Sequence, residues 1–135
     1  MNEIPAHLLF ENTPVDFEKQ KANATTLPIS QALLNKLGVS GENLAFFPFE
    51  GEAMKPTLDG KGLLLADLSD NKLRDGKIYI LEINSRLLVR RVQVLLNKII
   101  LVADNPEYQN IEICGENLNH LKVHGRLRLL TRTFP

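Results

Sequence analysis

The sequence predicts a mainly β fold with one short helix towards its N-terminal side. From residue 44 onward, apolar runs of strand length alternate with turn residues. Asn84-Ser85 separates two such runs and is a typical hairpin turn. Helical spacing of apolar residues occurs clearly in one segment, residues 30–37. Because strands and turns recur so regularly, the pattern excludes a helical bundle.

The helix has recognisable signals at both ends. Ser30 is a favourable N-cap, since its hydroxyl can accept a hydrogen bond from the first turn. Gly38 predicts the C-terminal stop. The residues expected to face the core are Ala32, Leu33, Leu34 and Leu37.

Two regions of different character follow from the pattern. Pro5, Pro14 and a polar tract at 19–26 interrupt any periodicity, so residues 1–26 are predicted to be an arm or linker. Residues 27–135 form the predicted β domain. Its strands are expected at residues 44–49, 63–66, 77–83, 86–92, 99–103, 111–113 and 121–131.

Composition limits the classes of function. A chain of 135 residues is long enough to bury one core. Its 16 basic and 16 acidic residues cancel, so it has no overall field to hold a polyanion, and we expect no DNA binding by this chain itself. A single cysteine excludes an internal disulfide and suits the cytoplasm. No apolar run approaches the roughly 20 residues of a membrane span, so no membrane contact is expected.

Two segments carry the strongest motif. Residues 51–57 read Gly-Glu-Ala-Met-Lys-Pro-Thr, and residues 88–91 read Leu-Val-Arg-Arg. They resemble the two halves of the serine–lysine active site of LexA-like self-cleaving peptidases, which include phage repressors. In that family a serine lies in a Gly-acidic-Ser-Met segment and a lysine base in Val-Lys-Arg. The resemblance therefore places Ala53 at the nucleophile position and Arg90 at the base position. The matching motif residues are Gly51, Glu52, Met54, Pro56 and Arg91.

The resemblance extends over most of the chain, through residues 27–44, 75–79, 103–108 and 123–127. It is closest to the C-terminal domain of prophage CI-type repressors. This implies a β body of the LexA and signal-peptidase kind, acting as the dimerisation and regulatory domain of a transcriptional repressor. Bacterial signal peptidases carry a similar serine segment, but they are anchored in a membrane, and this sequence contains no span.

Both substitutions remove the chemistry that the family performs. A nucleophile needs a lone pair on oxygen or sulfur, and the side chain of Ala53 is a methyl group. A lysine base must have its pKa lowered from about 10.4 by roughly 3. Arginine is effectively never deprotonated in proteins, so Arg90 cannot replace it. We therefore expect a domain that is not an enzyme.

The bond that relatives cut is also missing. These proteins cleave themselves at an Ala-Gly or Cys-Gly bond upstream of the serine. No glycine precedes Gly38 in this chain, and its single Cys-Gly pair, at residues 114–115, lies far downstream of the motif.

Two alternatives to a naturally inert repressor domain remain open from sequence. Replacing a catalytic serine by alanine is a common way to trap an active peptidase, so the chain could be a self-cleaving repressor disabled by engineering. It could also be a stand-alone partner protein similar to the mutagenesis factors of this fold, which bind a DNA polymerase.

No cofactor or metal is expected. His7, His120 and His124 lack the spacing of a metal site, and no glycine-rich phosphate-binding motif occurs. The resemblance implies a homodimer or higher oligomer, with residues 121–134 as the candidate surface through apolar side chains or a free strand edge. It implies DNA contact only through a missing N-terminal domain. An antirepressor or RecA is the expected regulatory partner.

Overall fold

The computed structural model describes residues 2–6, 9–10 and 25–132. It confirms the mainly β fold, with one short α-helix in the described residues. In chain order the elements are β1 (Asn2–Ala6), β2 (Leu9–Phe10), β3 (Thr25–Ile29), α1 (Gln31–Leu37), β4 (Leu44–Gly51), β5 (Gly60–Asp67), β6 (Ile78–Ile83), β7 (Arg86–Val94), β8 (Lys98–Val102), β9 (Ile111–Cys114) and β10 (Leu121–Arg132). Two 3-10 turns, Gly41–Asn43 and Gly115–His120, precede β4 and β10.

The strands follow one continuous order, β3-β1-β4-β5-β10-β6-β7-β8-β9, with β2 also paired to β4. Most neighbours are antiparallel, whereas β1 and β2 run parallel to β4. β10 lies inside this order and pairs with β5 on one side and β6 on the other. The pairing changes sides along this strand, since Leu121–Arg126 pairs with β6 and Arg126–Arg132 pairs with β5. The expectation that residues 121–134 offer an association surface stays a prediction. Residues 133–134 lie outside the described residues.

The predicted helix is confirmed together with its caps. The side chain of Ser30 accepts a hydrogen bond from the backbone N–H of Leu33 at 3.2 Å. Gly38 takes a left-handed φ of 70°, and its N–H donates to the carbonyl of Leu34 at 2.9 Å. Nη2 of Arg128 donates to the carbonyl of Leu37 at 2.7 Å, so the helix end is fixed to β10.

The predicted turn between β6 and β7 is also confirmed. Asn84 and Ser85 have φ of 51° and 62°, the left-handed pair of a tight hairpin. Pairing then runs from Ile83 opposite Arg86 to Ile78 opposite Arg91. This register fixes Arg90 opposite Tyr79 in the middle of the body.

Three clusters of buried side chains fill the interior. The first contains Phe47, Leu64, Ile80 and Val89, and it includes Met54 from the predicted motif. The second packs α1 on the sheet through Leu34, Leu44 and Leu65. The third lies among β6 to β9 and includes Tyr79, Leu88, Leu101 and Ile113. The motif loop is therefore anchored in the core by Met54.

Two strands lie within the first 26 residues, where the sequence indicated an arm. Ala6 pairs with Phe46, and Leu9 pairs with Phe49. Residues 7–8 and 11–24 of the predicted arm lie outside the described residues. These strands escaped prediction because they are short and because Pro5 interrupts the pattern.

β10 reaches both of its neighbours through local irregularities. Its register shifts between Val123 and Gly125 against β6, and between Leu127 and Leu129 against β5. At Gly125 the backbone approaches β5 so closely that a Cβ atom would lie 2.6 Å from the carbonyl oxygen of Asp67. Only glycine fits there without movement of the backbone.

We expect Gly125→Ala to lower the free energy of unfolding by about 1–3 kcal/mol, because the added methyl group overlaps backbone that cannot rotate away. Gly38→Ala is the matched control, since nothing lies within 4 Å of its Cβ position and only the positive φ opposes the change. Urea unfolding of both variants measures the difference. A loss at Gly125 no larger than at Gly38 would contradict this account of the β5–β10 contact.

Candidate functional site

The predicted nucleophile position lies in the loop between β4 and β5, residues 52–59, which we call the motif loop. Its backbone is held by hydrogen bonds from the N–H of Lys55 to the carbonyl of Glu52 at 3.2 Å and from Leu58 to Met54 at 2.9 Å. The Lys55–Pro56 peptide bond is cis. Ala53 is 2% exposed and Met54 is fully buried. Position 53 therefore faces the protein interior.

The motif loop is hydrogen-bonded to a second loop, residues 103–110 between β8 and β9. The backbone N–H of Asn105 donates to the carbonyl of Ala53 at 3.0 Å. The side-chain Nδ2 of Asn105 donates to the carbonyl of Glu52, also at 3.0 Å. Its Oδ1 accepts from the N–H of Glu107 at 3.0 Å, which fixes the side chain in this orientation. One asparagine thus holds two successive carbonyl groups around position 53.

The predicted base position, Arg90, is buried on β7 with 6% of its surface exposed. Its Nη1 donates to the carbonyl of Val89 at 2.8 Å. Burial lowers the pKa of Arg90 below its ordinary value, and the nearby phenol of Tyr108 acts in the opposite direction. The N–H of Tyr108 in turn donates to the carbonyl of Asn105 at 3.0 Å.

The same loop therefore connects both halves of the predicted motif. Asn105 contacts the backbone at position 53, and Tyr108, three residues later, interacts with Arg90. The two positions are 37 residues apart in sequence. The two positions therefore share a neighbouring loop, with a methyl group in one position and a guanidinium group in the other.

Arg91 links β7 to two other segments, and we call its hydrogen bonds with Asp104 and Gly76 the clamp. Its Nε donates to Oδ1 of Asp104 at 3.0 Å, and its Nη2 donates to Oδ2 at 2.8 Å, which is the two-pronged geometry that suits guanidinium and carboxylate. Its Nη1 donates to the carbonyl of Gly76 at 2.7 Å. The hydrogen bond with Asp104 raises the pKa of Arg91 above its ordinary value, against a smaller opposing effect of burial.

Asp104 extends this clamp to the motif loop. Its Oδ2 also accepts a hydrogen bond from the hydroxyl of Thr57. The hydrogen bond from Arg91 is the main cause that lowers the pKa of Asp104, and the bond from Thr57 adds to it while burial opposes it. Three segments therefore meet at one carboxylate: β7, the β8–β9 loop and the motif loop.

The remaining motif residues belong to the outer surface of the loop. Gly51 ends β4 opposite Gly60. Glu52 is exposed and lies 3.3 Å from Nζ of Lys55, which is also 3.6 Å from Asp59. Glu52 is the main cause that raises the pKa of Lys55, so this lysine is protonated at neutral pH. Pro56 is exposed and follows the cis peptide bond.

Asp104, Asn105 and Tyr108 are site residues that sequence reasoning did not single out. Asp104-Asn105-Pro106 is a typical turn sequence, and the backbone does turn between β8 and β9. The available signal was indirect: the resemblance covered residues 103–108, which contain two carboxylates, Asp104 and Glu107. Spacing along the chain did not show which of them has a role in the site.

The described part of the chain offers neither a metal-binding cluster nor a helix that could span a membrane. There, no group of three or more His, Cys, Asp or Glu side chains could hold a metal ion. Nε2 of His124 instead lies 3.0 Å from Oε1 of Glu82, while His7 falls outside the described residues. No helix among the described residues is long and apolar enough to cross a membrane.

The pH dependence of the stability of Asp104→Asn tests how much the ion pair between Arg91 and Asp104 contributes. Because the folded pKa of Asp104 is lowered, its stabilisation is present above the unfolded value near 3.8 and is lost as pH falls through the folded value. We expect the variant to be about 1–2 kcal/mol less stable at pH 7, a figure reduced for the partial exposure of Arg91. The difference from the parent protein should shrink towards pH 3.

Chemical unfolding at several pH values measures this difference. Glu50→Gln is the control, because Glu50 faces Lys61 at 3.7 Å in an exposed pair, and that pair should contribute little at any pH. A deficit for Asp104→Asn that is constant down to pH 3 would show that the ionised pair does not stabilise the site.

Comparison with known proteins identifies the family of this chain. The sequence profile of the family described as Peptidase S24-like matches residues 13–128. The chain is also similar to a Haemophilus influenzae protein named as an uncharacterized HTH-type transcriptional regulator, with 36% identity over 101 residues. That match covers 74% of this chain and 42% of the relative, so the chain spans less than half of the relative's length. The chain belongs to the Peptidase S24-like family, which includes the LexA and CI types.

Proposed function

We propose that this chain is the C-terminal dimerisation and regulatory domain of a prophage transcriptional repressor and that it does not cleave itself. Three observations support this proposal. The chain belongs to the Peptidase S24-like family, a regulator is among its relatives, and the site has a complete framework without a nucleophile.

The main support for this proposal is that position 53 lies in an ordered loop but holds an alanine. Asn105 holds the carbonyls of Glu52 and Ala53, and Met54 anchors the loop in the core, so the loop is ordered as a site would require. Its central side chain nevertheless has no atom that can attack a carbonyl group.

Arg90 cannot supply the base that a nucleophile at position 53 would need. Burial lowers the pKa of its guanidinium, but arginine still keeps its proton at neutral pH. A serine alone at position 53 would therefore lack an activating group.

Repression requires DNA binding, which we assign to a part of the protein outside this chain. The regulator relative is more than twice as long as the region it shares with this chain. The net charge of this chain is zero, which does not favour contact with a polyanion. A dimer would join two DNA-binding heads and so match the two halves of a symmetric operator in the cytoplasm.

Regulation must then differ from that of self-cleaving relatives. A domain without nucleophile and base cannot be released by RecA-promoted self-cleavage. We propose that induction occurs instead through an antirepressor that binds this domain, or through dissociation of the oligomer.

A disabled peptidase is the second candidate, and one observation favours it. Asn105 holds the carbonyls of Glu52 and Ala53, so a single Ala53→Ser exchange would place a hydroxyl group in an ordered loop. The codons at positions 53 and 90 of the natural gene decide between the two candidates. A gene without an upstream DNA-binding region would instead favour a mutagenesis-factor-like partner protein.

The proposed lack of self-cleavage predicts an intact chain. Purified protein held between pH 7 and pH 10, where a lysine base would be increasingly neutral, should keep its full mass by mass spectrometry over several days. Ala53→Ser should also stay intact, because Arg90 cannot take up the serine proton. Specific cleavage of the parent chain, with the same fragments at every protein concentration, would overturn the proposal.

Dimerisation predicts reversible association of the purified chain. Sedimentation equilibrium over about 1–100 μM should fit a monomer–dimer or larger symmetric equilibrium, a range that covers dissociation constants worth about 5–8 kcal/mol. A monomer at all concentrations would contradict the dimerisation role and favour a partner-binding module.

A further inference from the structure

Three consecutive apolar side chains are exposed at the tip of the β7–β8 hairpin, residues 94–96, which we call the tip. Leu96 is 108% exposed, and it lies in the turn closed by the hydrogen bond from the N–H of Leu95 to the carbonyl of Lys98 at 2.9 Å. Tight turns usually carry Gly, Asn, Asp or Ser. A leucine in this position buries no surface within its own chain, so the tip is a candidate contact surface.

The tip is held in place by the loop that precedes β6. The N–H of Val94 donates to Oδ1 of Asp75 at 2.8 Å. The N–H of Val92 donates to the carbonyl of Lys77 at 2.9 Å. The loop and the hairpin therefore form one fixed surface, and little conformational freedom is lost when a partner binds to it.

The same loop carries an excess of positive charge. Lys72, Arg74 and Lys77 are all exposed. In the described part of the chain, none of the three forms an ion pair. Asp75 is the one carboxylate within residues 72–77, so three positive charges and one negative charge leave an excess of two. We call residues 72–77 the basic loop.

We propose that the tip and the basic loop together bind an acidic segment of another protein, one that carries apolar side chains beside its carboxylates. The apolar side chains would pack on Leu96, and the carboxylates would pair with the cations of the basic loop. The inference goes beyond the proposed function and does not depend on it, because neither dimerisation nor the loss of self-cleavage involves this surface.

The distribution of charge around the tip favours a protein segment over an anionic membrane. The basic loop adjoins the hairpin on its β7 side. On the β8 side, β9 carries Glu112, whose side chain is 58% exposed, and the exposed Glu116 follows it. A bilayer would meet both sides of the tip, and its anionic headgroups would repel these carboxylates. A narrow segment can lie along the basic side alone.

A second copy of this chain does not provide a matching partner. Among the described residues, the large exposed apolar side chains are those of the tip and Tyr108. Contact between two tips would involve only a few residues of each copy, whereas a stable interface has roughly 20–30 residues on each side. The basic loops of two copies would also repel each other.

Selection from a displayed library of random dodecapeptides on the purified chain tests this surface. The enriched peptides should combine Asp or Glu with large apolar residues. Leu96→Asn should lower their affinity roughly tenfold, because it removes the apolar side chain while asparagine suits the turn. Urea unfolding of the variant should show unchanged stability, since Leu96 is fully exposed.

The contribution of charge is measured with the same peptides. Lys72→Glu, Arg74→Glu and Lys77→Glu should each lower the affinity roughly fivefold, and added salt should weaken binding to the parent chain. Lys61→Glu is the matched control, because its side chain is 73% exposed and lies on β5. The control should leave the affinity unchanged.

Each contrary outcome overturns the inference. A selection that enriches no peptide, enriches peptides without carboxylates, or yields peptides whose affinity is unaffected by Leu96→Asn excludes the proposed partner. Binding to vesicles of equal parts phosphatidylglycerol and phosphatidylcholine that is lost in Leu96→Asn would assign the tip to a membrane instead. A chain that is monomeric in sedimentation refutes the dimerisation role and leaves this surface unaffected, so the two proposals fail separately.

Discussion

The paired hydrogen bonds between Arg91 and Asp104 are the constraint on which the site depends. One carboxylate joins β7, the β8–β9 loop and, through Thr57, the motif loop. The pair is partly shielded, with Asp104 at 13% side-chain exposure and Arg91 at 36%, so its attraction is stronger than that of a fully exposed ion pair. Asn105 can hold the carbonyls at positions 52 and 53 because its neighbour Asp104 fixes the start of its loop.

Local signals in the sequence were sufficient for much of the fold. Ser30 and Gly38 define the helix because capping depends on a few adjacent residues, and Asn84-Ser85 defines the β6–β7 turn for the same reason. The place of β10 between β5 and β6 was not predictable in this way. Its apolar residues indicate a strand but do not show which strands lie beside it or that its two halves pair on opposite sides.

In the candidate site, too, local sequence identifies some residues and leaves out those that depend on distant contacts. Positions 53 and 90 were singled out because each lies in a recognisable segment of the sequence, and both interact with the β8–β9 loop. Asp104 and Asn105 were not assigned roles, because a turn sequence does not reveal the distant backbone that its side chains will reach. Their hydrogen-bond partners lie 13 and 53 residues away in the sequence.

The side chains at positions 53 and 90 have opposite effects on the stability of the buried site. Ala53 is 2% exposed, and its methyl group requires no hydrogen-bond partner, whereas a serine hydroxyl at the same depth would have to find one. Arg90 has the opposite effect, since burial makes its charge less favourable, as the lowered pKa shows. Alanine at 53 therefore removes a polar group from the interior, while arginine at 90 keeps a positive charge there. The loop keeps its fold because Met54, Asn105 and Asp104 hold it without using either side chain.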